Sequence, residues 1–169
     1  MYTSRPRIDH NAQISLKKLN TAELFVVSSL RLWMLPHYDP AHEYPDWRVG
    51  FLRANIDFDG ETGFHTFCEM LAGGALEPLR VQALHCPCLG DHEAWPLRVV
   101  SLVQQDQLTA AQNILTQHCA PNAARLAIPP ARDFARALRA RRLWVSPHFD
   151  YPCASAARDI RASHSTLIH

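Results

Sequence analysis

Glycine, long apolar runs and net charge are all scarce in this sequence. Its 169 residues include six glycines against twelve prolines, a ratio that favours stiff connections over flexible linkers. The longest apolar run, residues 24–35, is interrupted by Ser28, Ser29 and Arg31, whereas a membrane crossing needs about 20 largely apolar residues. The formal charge is +1, without the basic excess of a chain dedicated to nucleic acid. We therefore expect neither a membrane span nor a wholly basic protein.

A secretory signal and an even number of cysteines are also missing. Residues 1–20 carry four basic side chains but no apolar stretch followed by small residues, so we expect a cytoplasmic protein. The five cysteines are Cys68, Cys86, Cys88, Cys119 and Cys153. In a reducing compartment such thiols are more often buried, metal-bound or reactive than paired in disulfides.

Apolar residues recur at helical spacing along most of the chain, with prolines and capping residues between the repeats. The predicted helices cover residues 22–35, 47–54, 64–72, 91–105, 108–119, 122–128 and 131–143. Pro36 is expected to end the first helix, and residues 55–63 are expected to form a turn-rich connection. Residues 75–84 alternate apolar and polar side chains and form the one candidate strand. The pattern predicts an all-α orthogonal bundle of about five to seven short-to-medium helices, with at most one marginal strand.

The predicted organisation is a single domain with two less regular ends. Residues 1–20 are expected to form a loosely ordered arm, residues 21–145 a single helical domain, and residues 146–169 a partly ordered tail. The tryptophans assigned to the core are Trp33, Trp47 and Trp95. Whether Trp144 and Tyr151 mark the interface of a homo-oligomer is left open.

The densest group of chemically active side chains is the segment from His85 to His92, which reads His-Cys-Pro-Cys-Leu-Gly-Asp-His. Zinc prefers thiolate and imidazole ligands, so Cys86 and Cys88 predict a structural metal site with His85 and His92 beside them. The Cys-x-Cys spacing differs from the Cys-x₂-Cys of zinc ribbons, and further ligands would have to come from elsewhere in the chain. The candidates are His65 with Cys68, which lie one helical turn apart, or His118 with Cys119.

Two other interpretations of these cysteines stay open. Cys86 and Cys88 precede a predicted helix, whose N-terminus lowers thiol pKa, so they are also candidates for a reactive or redox pair with the histidines as bases. Buried packing is the third interpretation, because free cysteine is often a small core residue. No Ser-His-Asp order, phosphate-binding loop or His-Glu-x-x-His motif occurs, so the sequence favours a protein that is not an enzyme.

Two acidic segments are weaker candidates for metal binding. Residues 55–60 place oxygen ligands at positions 1, 3 and 5 before a glycine, as a calcium loop does, but Thr66 stands where the closing glutamate is needed. Residues 37–46 contain two histidines and three carboxylates. A turn and a solvated polar loop are the preferred interpretations of the two segments.

Charge is unevenly distributed along the chain. Residues 21–93 carry a net charge of −7 and residues 94–169 a net charge of +5. We expect these regions to complement each other within the fold. The predicted helix at residues 131–143 concentrates the basic side chains in a stripe, which consists of Arg132, Arg136, Arg139 and Arg142. This stripe predicts contact with an acidic protein surface or with nucleic acid, the latter with an affinity that falls steeply with salt.

Together these features predict a small accessory or regulatory binding protein, with a structural zinc ion at Cys86 and Cys88 as the one candidate cofactor. Its expected partner is another protein, with nucleic acid as an alternative and no membrane. A metal- or thiol-dependent enzyme at the same centre, with Arg132 or Arg136 holding an anionic substrate, is the runner-up.

Overall fold

Seven α-helices make up most of residues 14–146, the part of the chain that the structure, a computed structural model, describes. They are α1 (Thr21–Tyr38), α2 (Arg48–Arg53), α3 (Phe58–Gly74), α4 (Asp91–Gln104), α5 (Leu108–His118), α6 (Pro121–Leu126) and α7 (Ile128–Ala140). Within this range there is no strand, so the all-α prediction is confirmed. Of the predicted arm at residues 1–20 and the predicted tail at residues 146–169, residues 1–13 and 147–169, including Tyr151 and Cys153, lie outside the described residues. Within the described part of the arm, Leu16–Lys18 form a short 3-10 helix.

The candidate strand at residues 75–84 is part of a loop. Its only β-type pairing is an isolated bridge between Ala75 and Cys119. The alternation of side chains does not produce a strand here, because no neighbouring segment offers a continuous row of backbone partners. None of the helices within residues 14–146 combines the length and apolarity that a membrane crossing requires.

Helix α1 begins one residue earlier and ends later than the sequence pattern indicates. Asn20, rather than Thr21, is the N-cap, and it forms a reciprocal capping box with Glu23. Pro36 does not end the helix, which continues to Tyr38 and is closed by a hydrogen bond from the Asp39 backbone N–H to the Leu35 carbonyl. A proline this close to the C-terminus removes a single intrahelical hydrogen bond, so the last turn is retained.

Helix α3 starts at Phe58 instead of Phe64, so the predicted turn at residues 55–63 is wrong over most of its length. The Asp57 carboxylate caps the helix by accepting a hydrogen bond of 2.8 Å from the Gly60 N–H. Gly60 and Gly63, read from the sequence as turn residues, face α7 across a short gap. The carboxylates that resemble those of a calcium loop in the sequence therefore lie at the start of α3, where Asp57 is the N-cap.

The most extensive packing in the bundle is between α3 and α7, and α4 packs against α5 and α7. Phe64 of α3 lies between Phe51 of α2 and Phe134 of α7, with ring centroids 5.0 Å apart in each pair. Trp47 contacts both Phe51 and Phe64. The predicted core positions of Trp33, Trp47 and Trp95 are confirmed, because all three are buried.

Three helices end in a left-handed residue that is not glycine. Asn55, Asp106 and Arg142 have φ values of 57°, 58° and 57°, and no described glycine has a positive φ. The backbone N–H that follows each of them bonds back into the preceding helix, as from Leu143 to the Leu138 carbonyl. This turn ends α7 at Ala140 and places Arg142 beyond the helix, so the helix predicted to reach residue 143 was too long.

Candidate functional site

The longest irregular segment between helices in residues 14–146 is the loop of residues 75–90, which joins α3 to α4 and contains Cys86 and Cys88. Loops above about 12–15 residues without secondary structure are uncommon in compact domains unless they have a function. The first residues of this loop are held to the end of α5, where the Leu76 N–H donates to the His118 carbonyl over 2.8 Å. Leu79 and Leu89 are buried, so the loop is packed onto the bundle along its length.

A buried ion pair between Arg31 of α1 and Glu93 of α4 lies beneath this loop. The Arg31 Nε is 2.7 Å from one carboxylate oxygen and its Nη2 is 3.0 Å from the other. The side chains are 1% and 0% exposed. This two-point geometry is the strongest form of arginine–carboxylate hydrogen bonding.

Arg31 also binds the backbone of the loop. Its remaining N–H groups donate to carbonyl oxygens, at 2.8 Å for Cys86 and 2.7 Å for Cys88, with longer contacts to Ala83 and Leu84. A guanidinium has five N–H donors, and the contacts to Glu93 and to the loop use both terminal nitrogens and Nε. The loop conformation is therefore set by a side chain that lies outside it.

Glu93 binds the two flanks of the same loop. One carboxylate oxygen accepts a hydrogen bond of 2.9 Å from the Gln82 N–H, and the other accepts one of 2.8 Å from the Gly90 N–H. Every oxygen of the buried carboxylate thus has two donors, including those from Arg31. Burying a charged group costs on the order of several kcal/mol per ion. Only such complete hydrogen bonding of both groups compensates for this cost.

The two thiols of the loop lie on one partly exposed segment. The carbonyls of Cys86 and Cys88 turn toward Arg31, while that of Pro87 turns away and accepts a hydrogen bond of 2.8 Å from the Leu16 N–H. Both thiols are half-buried and free.

The other predicted metal ligands do not join this thiol pair. His65 lies on the far side of α1, where its Nδ1 accepts a hydrogen bond of 2.9 Å from the Trp33 indole and its ring stacks on Trp47. Cys68 is buried, and burial raises the pKa of its thiol well above the usual value. Among residues 14–146, no three side chains of His, Cys, Asp or Glu are close enough together to hold a metal ion.

The histidines that flank the thiols differ in their surroundings. His85 is exposed on the loop. His92 is in the first turn of α4, and its Nδ1 accepts a hydrogen bond of 2.9 Å from the Arg80 N–H. This bond leaves the proton of the neutral ring on Nε2, so His92 would bind a metal only after giving up Arg80.

An open groove of about 560 Å³ runs beside the loop. Its lining residues are Glu77, Pro78, Arg80, Gln82, Gly90, Asp91 and His92. Next to it, the His118 ring stacks on Trp95 with centroids 4.7 Å apart, and its Nε2 is buried without a hydrogen-bond partner in the described residues. Cys119, the other thiol considered as a distant ligand, is buried, which raises its pKa to about 11.

The unpartnered Nε2 of His118 predicts a pH effect on stability. Burial lowers the pKa of His118, nearby His92 lowers it further, and Glu77 opposes both. The unfolded chain therefore takes up a proton near pH 6.5 that the folded protein resists, and stability is full above that pH and falls as the pH drops through the lowered pKa. We expect His118→Phe, which keeps the stacking on Trp95, to raise the free energy of unfolding by about 1 kcal/mol and to reduce its loss in acid.

Urea denaturation of both proteins at several pH values measures this effect. His85→Phe is the control, because His85 is exposed. A His118→Phe protein with the same acid sensitivity as the wild type would show that another group is responsible.

The basic stripe on α7 faces outward, as the sequence indicates. The helix buries its apolar side, while Arg132 and Arg136 are exposed. Arg136 pairs with Asp133 over 3.1 Å, and Arg139 is 3.6 Å from Asp106 and donates to the Gln104 carbonyl. Arg142 is exposed but lies outside the helix, so it does not continue the stripe.

Two arginines of the basic half pair with carboxylates of that same half: Arg136 with Asp133 and Arg139 with Asp106. The buried pair instead joins two residues of the acidic half, Arg31 and Glu93.

Arg31 and Glu93 are the residues that the sequence interpretation missed. In the sequence, Arg31 stands out only as an interruption of an apolar run, and Glu93 is not among the candidate site residues. A charged residue within an apolar run, on a helix otherwise rich in buried positions, is the one signal that points to a buried and paired side chain.

A comparison of the chain with protein-family models, curated proteins and solved structures finds no match.

Proposed function

We propose that this protein is a non-enzymatic accessory or regulatory binding protein that uses the loop of residues 75–90 to contact another protein. The observation that carries the proposal is the buried Arg31–Glu93 pair, whose hydrogen bonds hold a long and partly exposed loop in one conformation. A buried ion pair is a poor source of net stability, so its retention is better explained by the specific conformation it imposes. A loop ordered before binding loses less conformational entropy when its partner arrives.

A partner-contacting role also agrees with the surface of the loop. Arg80 and His85 are exposed, and Cys86 and Cys88 are half-buried. The adjacent groove is open and carries side chains of both charge signs, including Arg80 and Asp91. Arginine and mixed polar side chains around partly buried contacts are common in protein interfaces.

Site-specific photo-crosslinking in the source cells tests the proposal. A benzophenone amino acid at Arg80 is expected to capture a protein that the same probe at Arg132, on the outer face of α7, does not capture. The captured protein, produced separately, should bind Arg80→Ala/His85→Ala about tenfold or more weakly than the wild type. Arg132→Ala is the matched control. If only Arg132→Ala weakened binding, the contact surface would be the basic face of α7 and the loop proposal would be wrong.

A structural zinc ion on Cys86 and Cys88 is the finer part of this proposal. Both thiols are free, partly exposed and two residues apart on an ordered segment, and thiolates are ligands that zinc prefers. Since no third ligand converges on them within the described residues, the remaining ligands would come from the partner or from a shift of His85.

Elemental analysis of the protein, purified without chelators or a histidine tag, tests the metal directly. We expect about one zinc per chain in the protein isolated with its partner, and its loss in Cys86→Ser/Cys88→Ser. Cys68→Ser is unsuitable as a control because Cys68 is in the core, so Ser28→Ala on the exposed face of α1 is used. Metal-free complex of normal affinity would remove zinc from the proposal without affecting the role of the loop.

A further inference from the structure

Five of the eight exposed large apolar side chains in residues 14–146 lie at one end of the bundle. They are Leu24, Val49, Leu52, Phe58 and Trp144. Phe58 is 78% and Leu52 80% exposed, values unusual for such large apolar groups near one another. Contiguous exposed apolar patches on soluble proteins commonly mark interaction sites.

Contacts in the underlying layer show that these residues share one end. Phe25, next to Leu24 at the start of α1, stacks on Phe51 of α2 with centroids 5.0 Å apart. Leu52 in the last turn of α2 and Phe58 at the start of α3 flank the turn between these helices, in which the Ile56 N–H bonds back to the Phe51 carbonyl over 3.0 Å.

The two remaining helix ends close the same surface. Gly60, in the first turn of α3, contacts Ala137 in the last turn of α7. The Asn20 side chain, at the start of α1, donates to the Trp144 carbonyl over 3.1 Å. We call this surface, formed by α2, the starts of α1 and α3 and the residues after α7, the apolar end.

The apolar end carries charges of both signs. Asp57 and Asp59 flank Phe58, and Arg53 follows Leu52 in the sequence. Arg141 and Arg142 precede Trp144 and are exposed. Within the described residues, Asp59 and these three arginines form no ion pair.

We propose that the apolar end is the interface of a homodimer, with a second copy of this chain as its occupant. A two-fold interface requires a surface that complements itself, and an apolar surface that carries exposed arginines and aspartates without ion pairs of their own within residues 14–146 can pair these charges with those of a second copy.

Sedimentation velocity of the full chain over a range of low to high micromolar concentrations tests the dimer. We expect a concentration-dependent dimer whose Kd rises about tenfold or more in Phe58→Ser, since removal of a central aromatic side chain weakens interfaces by that order. Leu126→Ser is the matched control, because Leu126 is 62% exposed and is the last residue of α6, outside the apolar end. It should leave the Kd unchanged.

A second variant at the same surface, Trp144→Ser, keeps the test valid if Phe58→Ser disturbs the start of α3. Thermal unfolding followed by circular dichroism verifies that each variant is folded. A monomer at every concentration overturns the proposal, as does a dimer that Leu126→Ser weakens and the two apolar-end variants do not. Binding of the wild type to vesicles of mixed neutral and anionic phospholipid, without dimer formation, would assign the surface to a membrane instead.

Discussion

Glu93→Gln is expected to lower the free energy of unfolding by about 3–5 kcal/mol, the cost of breaking one partner of a buried ion pair. The substitution leaves the Arg31 charge buried without compensation. It also replaces one carboxylate oxygen by an amide NH₂ group, which donates hydrogen bonds. Because every partner of the Glu93 oxygens is itself an N–H donor, this group would face donors instead of acceptors. For a chain of this length the loss corresponds to a fall in Tm of roughly 6 °C or more.

Urea denaturation and calorimetry measure this loss, with Glu43→Gln as the control because Glu43 is exposed. Arg31→Leu/Glu93→Leu removes both charges together and is expected to recover part of the stability. In that double variant the amide hydrogens of the loop should nevertheless exchange faster than in the wild type, since its carbonyls and N–H groups have lost their partners. A Glu93→Gln variant less than about 1 kcal/mol below the wild type would contradict the role given to the pair.

Gly63→Ala is expected to cost about 2 kcal/mol or more, because an added methyl group meets backbone that cannot rotate away. The new Cβ would lie 2.8 Å from the Pro130 carbonyl oxygen and 2.9 Å from the Phe134 nitrogen of α7. Helices α3 and α7 would have to separate, and the packing of Phe64 on Phe134 at the bundle centre would loosen with them. We expect Tm to fall by roughly 4–8 °C.

Gly73→Ala provides a matched control in the same helix. Nothing lies within 4 Å of a Cβ added at Gly73, so this substitution should stabilise α3 by the roughly 0.5–1 kcal/mol that alanine gains over glycine in a helix. Both substitutions replace glycine by alanine in the same helix, so the gain in helix propensity is equal. Only the added Cβ at position 63 meets neighbouring atoms. Equal effects of the two on Tm would refute close packing as the reason for glycine at position 63.

The two substitutions with the largest predicted effects on stability should affect partner binding differently. The Arg31–Glu93 pair orders the loop that we propose contacts a partner, whereas Gly63 maintains the scaffold on which both α1 and α4 are positioned. A Glu93 variant should therefore weaken partner binding more than its loss of stability explains. A Gly63 variant should weaken binding only to the extent that the protein unfolds.

The helices and the buried tryptophans of this protein follow from local sequence alone. Apolar residues at helical spacing determine the positions of α1 and α4, because a helix that buries one face needs that period wherever it packs. Caps were less well predicted: Asn20 replaces Thr21, and Asp57 begins a helix where a turn was expected. Residues of these types occur both at helix N-caps and in turns, so residue type alone does not determine where a helix begins. The contacts that the helix makes determine it.

Only the tertiary structure decided the roles of Arg31, Glu93 and the glycines of α3. Arg31 and Glu93 are separated by 62 positions, and their pairing depends on how α1 and α4 meet rather than on any local pattern. The same holds for Gly63, whose lack of a side chain matters only because α7 approaches its backbone. Periodicity reports which face of a helix is buried, but the partner that a buried charge or a glycine meets is set by the packing of distant segments.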